Sequence, residues 1–252
     1  MYNLTYAELV KLKRAKIWWL FLVAAILPAQ LNILIVLTFE MPTTVHNLDD
    51  LFLSNLQMLD QPMMQIMLSL LAGHLFGQEY SERTINTLFT YPFSRLQVFF
   101  SKLIVLFLLL VVFFVAAYLS VVSTAWTFDA QAISLSLLMR YFGFFLLSAV
   151  ANFALVPIYA LVTLILKNVV SSVLVGIALM ITNGFLMYSP IADWWPLSLP
   201  LLLKVSLLGI HDTYPQPLDN PMYAVAGLAV LFVVSFVGNI IYLQKSDVHS
   251  GS

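Results

Sequence analysis

The sequence predicts an all-α integral membrane protein of six transmembrane helices, and three observations carry that prediction. Six runs of mostly apolar residues recur through the 252 positions, most of them close to the roughly 20 helical residues that cross a hydrocarbon core of about 30 Å. Apolar residues make up 62% of the chain and charged ones 9%, far from the balance of a soluble domain. The basic residues are also partitioned between alternate loops. With both termini on one side, that side collects Lys11, Lys13, Arg14, Lys16, Arg83, Arg95, Lys102, Lys167 and Lys245, and the other keeps only Arg140 and Lys204. The positive-inside rule then places both termini in the cytoplasm of a cell membrane, and an even number of spans agrees with it.

The elements follow in order. Residues 1–16 read as a basic interfacial helix, with Tyr2, Tyr6, Leu9 and Leu12 toward lipid and Glu8, Lys11 and Arg14 toward water or headgroups; a plain basic anchor is the alternative. The spans are Ile17 to Thr38, Pro62 to Gln78, Leu103 to Ala125, Tyr141 to Leu166, Val169 to Tyr188, and Tyr223 to Leu243. Trp18 and Trp19 open the first where an aromatic belt is expected. The run is too long for a signal-peptide core and reads as a retained helix. The loop from Glu40 to Gln61 reads as a polar, acidic outer loop holding Asp49, Asp50 and Asp60.

The second span carries Ser69, Gly73 and Gly77 at four-residue spacing. Small residues stacked on one face let another helix backbone approach closely, so this is a candidate packing or dimer seam. Pro28 and Pro157 are expected to kink their helices. Lys167-Asn168 joins two spans so tightly that they must be antiparallel neighbours. The outer segment 189–221 is too apolar for a solvated loop and is divided by Pro190, Pro196 and Pro200. It leaves room only for a short re-entrant or interfacial helix over Leu201 to Ile210.

The most informative polar stretch is 79–102, EYSERTINTLFTYPFSRLQVFFSK. Ile85, Leu88 and Phe89 share one helical face, with Asn86, Thr87 and Thr90 opposed. Ser81 can cap its start and Pro92 stops it. A short amphipathic helix on the cytoplasmic surface offers polar groups to a soluble partner, with Glu79, Glu82, Arg83 and Arg95 as docking charges. A solvated loop is the alternative.

The run Glu79, Thr84, Leu88, Tyr91-Pro92, Ser94-Arg95 and Lys102 resembles the signature of ABC-2 type transporter permeases between their second and third spans. Arg83 departs from it, standing where many members have glycine. The resemblance implies a half-bundle of an ATP-binding cassette exporter in which residues 79–96 form the coupling helix region. Glu79, Glu82, Arg83, Thr84, Leu88, Pro92, Ser94 and Arg95 would then contact a separate ATPase. It further implies two ATPase subunits carrying ATP and Mg2+, and a second copy of this chain or a related permease beside it. No nucleic-acid partner is expected. Paired short outer helices before the last span are likewise a family trait. At about this length, the resemblance extends to permeases that protect bacteria from lantibiotics or bacitracin-like peptides. Drug, lipid or polysaccharide export is the alternative.

Other functions fit the residues poorly. There is no cysteine and no G-x-x-x-x-G-K-[ST] loop, which excludes thiolate chemistry and a nucleotide site of the P-loop kind in this chain. An intramembrane protease needs clustered glutamates and histidines inside the bundle, yet only His74 lies within a span. No acidic residue is expected deep in a span, which argues against an ion-driven carrier. The polar span residues Gln30, Asn32, His74, Asn152, Thr163 and Asn183 should face the interior, because lipid offers no hydrogen bond. Of these, Asn32, His74, Asn152 and Asn183 are candidates for a substrate path. An apolar path rich in Phe and Met favours a hydrophobic or amphiphilic cargo.

Overall fold

The computed structural model describes residues 2–14, 17–39, 48–81, 94–128, 133–187, 189, 191–209 and 218–245. Among these, every regular element is helical. The helices are α1 (Tyr2–Arg14), α2 (Ile17–Phe39), α3 (residues 48–81), α4 (Arg95–Phe128), α5 (Leu135–Phe153), α6 (Val156–Leu166), α7 (Val169–Leu186), α8 (Leu199–Leu208) and α9 (Met222–Lys245). Four stretches of the described residues are long and apolar enough to cross a membrane: Arg95–Thr127, Leu135–Leu166, Val169–Leu186 and Met222–Lys245.

Polarity is arranged as a bilayer demands. Lipid offers no hydrogen bond, so most polar span side chains turn inward, although Gln30 of α2, expected inward, is exposed. Gln65, Ser148, Asn152, Thr163 and Asn239 are fully buried, while Leu174, Ile181 and Phe185 of α7 and Val230, Val233 and Val234 of α9 are exposed. The interior is filled by aromatic pairs such as Phe21–Phe113 at 4.9 Å and Phe52–Tyr141 at 4.5 Å between centroids. Such pairs add about 0.5–1.5 kcal/mol beyond area burial.

The structure corrects the first outer loop. From Leu48 onward it is helical and continuous with the helix that follows. Leu51, Phe52, Asn55, Leu56, Leu59 and Asp60 are buried. This long helix α3 changes register twice, at π turns Leu59–Met63 and Gly73–Gly77. Pro62 lies in the first, where its missing N–H breaks the α ladder. A π turn accommodates the break and re-aims the side chains around it.

The fourth predicted span is likewise two helices. α5 ends at Phe153 and α6 begins at Val156, with Pro157 in its first turn, where a missing N–H costs nothing. Asn239 of α9 donates to the Pro157 carbonyl at 2.7 Å. Lys167 then adopts the left-handed conformation (φ 53°) and ends α6. Asn168 caps α7 by accepting from Val170 N at 2.8 Å, so two residues reverse the chain.

Helix α1 packs with a face other than the one its periodicity suggests. Leu4, Glu8 and Leu12 are buried against the bundle and Tyr6 is exposed. The outward-facing Glu8 of the sequence reading is therefore turned inward.

Candidate functional site

Two polar clusters stand out, one beside each π turn of α3. At the basal end, where α1, Ser81 and the start of α4 meet, Glu79 is the hub. Its carboxylate accepts from Lys102 of α4 at 2.8 Å and from Lys11 of α1 at 3.2 Å. Lys11 also reaches Glu8 at 3.0 Å. Lys102 is 2% exposed, and its Nζ donates as well to the Leu75 carbonyl inside the second π turn. Burial by itself would raise the Glu79 carboxyl, but Lys102 and Lys11 outweigh it and hold it below its ordinary value of 4.5. Burial would lower Lys11, and Glu8 and Glu79 outweigh that too, leaving it above its ordinary 10.5.

Glu79 is thus committed inward, tying α1, α3 and α4 together, and is not a docking charge held out to solvent. Across the same end, Ser94 caps α4 through a reciprocal pair: Ser94 Oγ accepts from Gln97 N at 3.2 Å, and Gln97 Oε1 accepts from Ser94 N at 3.0 Å. Arg95 donates to the Leu243 carbonyl at the end of α9, at 3.0 Å. Tyr242 OH donates to the Leu164 carbonyl at 3.0 Å and joins α6 to the same corner. Glu82, Arg83, Thr84, Leu88 and Pro92 lie outside the described residues. Both flanks of that stretch are nevertheless bolted to the bundle.

The distal cluster is more deeply buried. Asp60, in the first π turn, pairs with Lys204 of α8; the two are 1% and 0% exposed. Asp60 also accepts from Asn152 Nδ2 at 2.8 Å, and Lys204 donates to Ser148 Oγ at 2.6 Å. Asn152 is therefore part of this network rather than a free lining residue. The expectation was of no acidic residue deep in a span; Asp60, two residues before the predicted second span, is nonetheless buried in the bundle. Its charge is already matched by Lys204, unlike a site that must exchange a coupling ion.

Between the clusters, the segment Met64–Ala72 of α3 packs on α7. A Cβ built at Gly176 would overlap both Oγ and Cβ of Ser69. One at Gly73 would meet Ser172 Cβ at 3.4 Å, and one at Gly77 would meet Thr163 Cγ2 at 3.2 Å. Ser69, Gly73 and Gly77 thus form a packing seam within the chain, the first of the two alternatives their spacing offers. Toward the distal end the seam opens into a groove of about 410 Å³ lined by Gln61, Pro62, Met180, Ile181, Gly184 and Phe185. Beside Gly184, Asn183 is buried with neither amide atom hydrogen-bonded in the described structure. Asn32 is also buried, on α2, and His74 is half-buried in the second π turn.

The family model for ABC-2 family transporter protein matches residues 4–183. The chain belongs to the ABC-2 transporter family. It is also similar to the bacitracin transport permease protein BCRB of Bacillus licheniformis, at 24% identity over 179 residues, covering 71% of this chain and 83% of that one. ABC-2 permeases are the transmembrane components of ATP-binding cassette exporters and work with separate ATPase partners, so the chain is a multi-pass membrane permease and not itself the ATPase.

For this ABC-2 permease, sequence reasoning missed the distal pair. One signal was present: Lys204 stands alone in LPLLLKVSLL, and an ionisable residue in an apolar helix calls for a named partner. Asp60 gave none, because Pro62 disguised the helix that continues through it.

Proposed function

We propose that this chain is one permease of an exporter that moves amphiphilic molecules out of the bacterial cell membrane, with bacitracin-like or lantibiotic peptides the favoured cargo. The carrying observation is the doubly anchored base of the 82–93 stretch. Glu79 on one flank is held by Lys102 and Lys11, and Arg95 on the other by the end of α9. A segment fixed at both flanks transmits a push from an ATPase into the bundle instead of absorbing it, which suits a coupling helix. In this reading six spans place both termini in the cytoplasm, and α8 dips into the outer leaflet. Two ATPase subunits supply ATP and Mg2+, and a second copy or a related permease completes the path.

The cargo proposal draws on the similarity to BCRB and on the groove between α3 and α7. That groove is apolar apart from the Gln61 amide, with Asn183 buried beside it, and so suits a molecule with a long apolar portion and few polar groups. Charge-poor walls make a small ion a poor cargo.

The test is co-expression with the partner ATPase in a bacitracin-sensitive bacterium. Tolerance should rise only when both chains are present, and purified permease alone should hydrolyse no ATP. Unchanged tolerance to bacitracin and lantibiotics, with export of a drug, lipid or polysaccharide instead, would replace the cargo. ATP turnover by the single chain would overturn the division of labour.

A further inference from the structure

Each π turn of α3 is held by a buried lysine from another helix. Lys102 of α4 holds the basal turn through the Leu75 carbonyl and Glu79. Lys204 of α8 holds the distal turn through Asp60. The α segment between them, Met64–Ala72, lies against α7 along the Ser69–Gly176 contact. The stretch of α3 from 59 to 77 is therefore a rod with a pinned joint at each end.

The ten-residue helix α8 has two possible allegiances. Toward α9 its contact is apolar, with Leu199 Cδ1 only 2.8 Å from where a Cβ of Gly227 would stand. Toward α3 and α5 it is ionic, through Lys204 to Asp60 and Ser148. In a bilayer these contacts are not equivalent. Lipid tails are as apolar as leucine, so an apolar contact gives little preference between a neighbouring helix and lipid. Parting a matched ion pair without water leaves two uncompensated charges, which is strongly unfavourable. Asp60 Oδ1 is also held by Asn152 and Lys204 also donates to Ser148, so both charged groups carry a second partner.

We propose that the Asp60–Lys204 pair makes α8 travel with α3 as one body and stays closed throughout the transport cycle. Displacement at the 82–93 end then reaches the distal end through the α3 rod. This rests on the exporter reading above. Asp60 and Lys204 are positioning residues in it, and neither is required to touch cargo.

The chain has no cysteine, so introduced thiols are the only ones it carries. In the complete permease–ATPase complex in proteoliposomes, the double variant Asp60→Cys/Lys204→Cys removes both charges together. It avoids the orphaned charge that destabilises single variants. Export should fall about tenfold or more while ATP hydrolysis continues. A short reducible bis-thiosulfonate cross-linker should restore export to within about twofold, and a reductant should abolish it again. Normal export without the cross-link, or a cross-linked form that cannot export until reduced, overturns the proposal.

A second measurement needs no ATPase. A spin label at Leu207→Cys, an exposed site on α8, should gain a mobile component when Asp60→Asn and Lys204→Gln are added together to the full chain in nanodiscs. An unchanged spectrum overturns the positional role. Failure of the unsubstituted complex to export any candidate cargo would count against the exporter reading, while the label still decides whether the pair positions α8.

Discussion

Replacing Gly176 by alanine places one methyl group where α3 and α7 touch. The new Cβ overlaps Ser69 Oγ and Cβ and comes to 3.1 Å from the Gln65 carbonyl oxygen. Ser69 Oγ can rotate away from its bond to the Ile66 carbonyl (2.8 Å), but its Cβ is fixed to the backbone. The helices must therefore separate by about 1 Å, and overpacking of this kind costs about 1–3 kcal/mol. For a chain of this size each kcal/mol lowers the melting temperature by about 2–4 °C. Ser69→Gly removes both overlapping atoms and leaves the Gln65 oxygen, at 3.1 Å, as the next nearest. The double variant should thus recover most of the loss, with a coupling energy of about 1 kcal/mol or more. Gly184→Ala is the control, since nothing lies within 4 Å of its added Cβ. Melting followed by tryptophan fluorescence in detergent measures all five proteins: the parent, the two single variants, their double and the control. A Gly176→Ala protein as stable as the parent, or one that Ser69→Gly fails to rescue, would refute the seam.

Three further outcomes are expected. Lys102→Met orphans the buried face of Glu79 and should destabilise the chain by about 3 kcal/mol, partly relieved by adding Glu79→Gln; melting temperatures check both. Because Glu79 titrates below its ordinary 4.5, its contribution is complete above that pH and is lost as pH falls through the folded value. Lys11 titrates above 10.5, so its share is complete below that pH and is lost only in stronger alkali. The attachment of α1, read by limited proteolysis, should therefore hold between these limits and fail beyond them. Arg95→Ala removes the tie to the Leu243 carbonyl and should lower export severalfold while membrane insertion, checked by fractionation, stays normal.

The membrane class, the helical architecture and the family membership all follow from local composition and short motifs, which is why the sequence alone reached them. Apolar run length reports span length directly, and the charge of short loops reports orientation. The two-residue reversal at Lys167-Asn168 was legible for the same reason, since a tight turn leaves its helices no choice but adjacency. Only tertiary structure could decide where Asp60 and Glu79 point. Asp60 reads as a loop acid because Pro62 follows it, yet a π turn carries the helix through that proline. Glu79 reads as a docking charge because Lys102 stands 23 positions away in sequence, yet the helix return brings them to 2.8 Å. Whether Ser69, Gly73 and Gly77 meet another chain or this one was equally undetermined, because a small-residue stripe specifies close approach but not the partner. Folding supplied the partner in Ser172 and Gly176, and with it the rod that joins the two buried charge clusters.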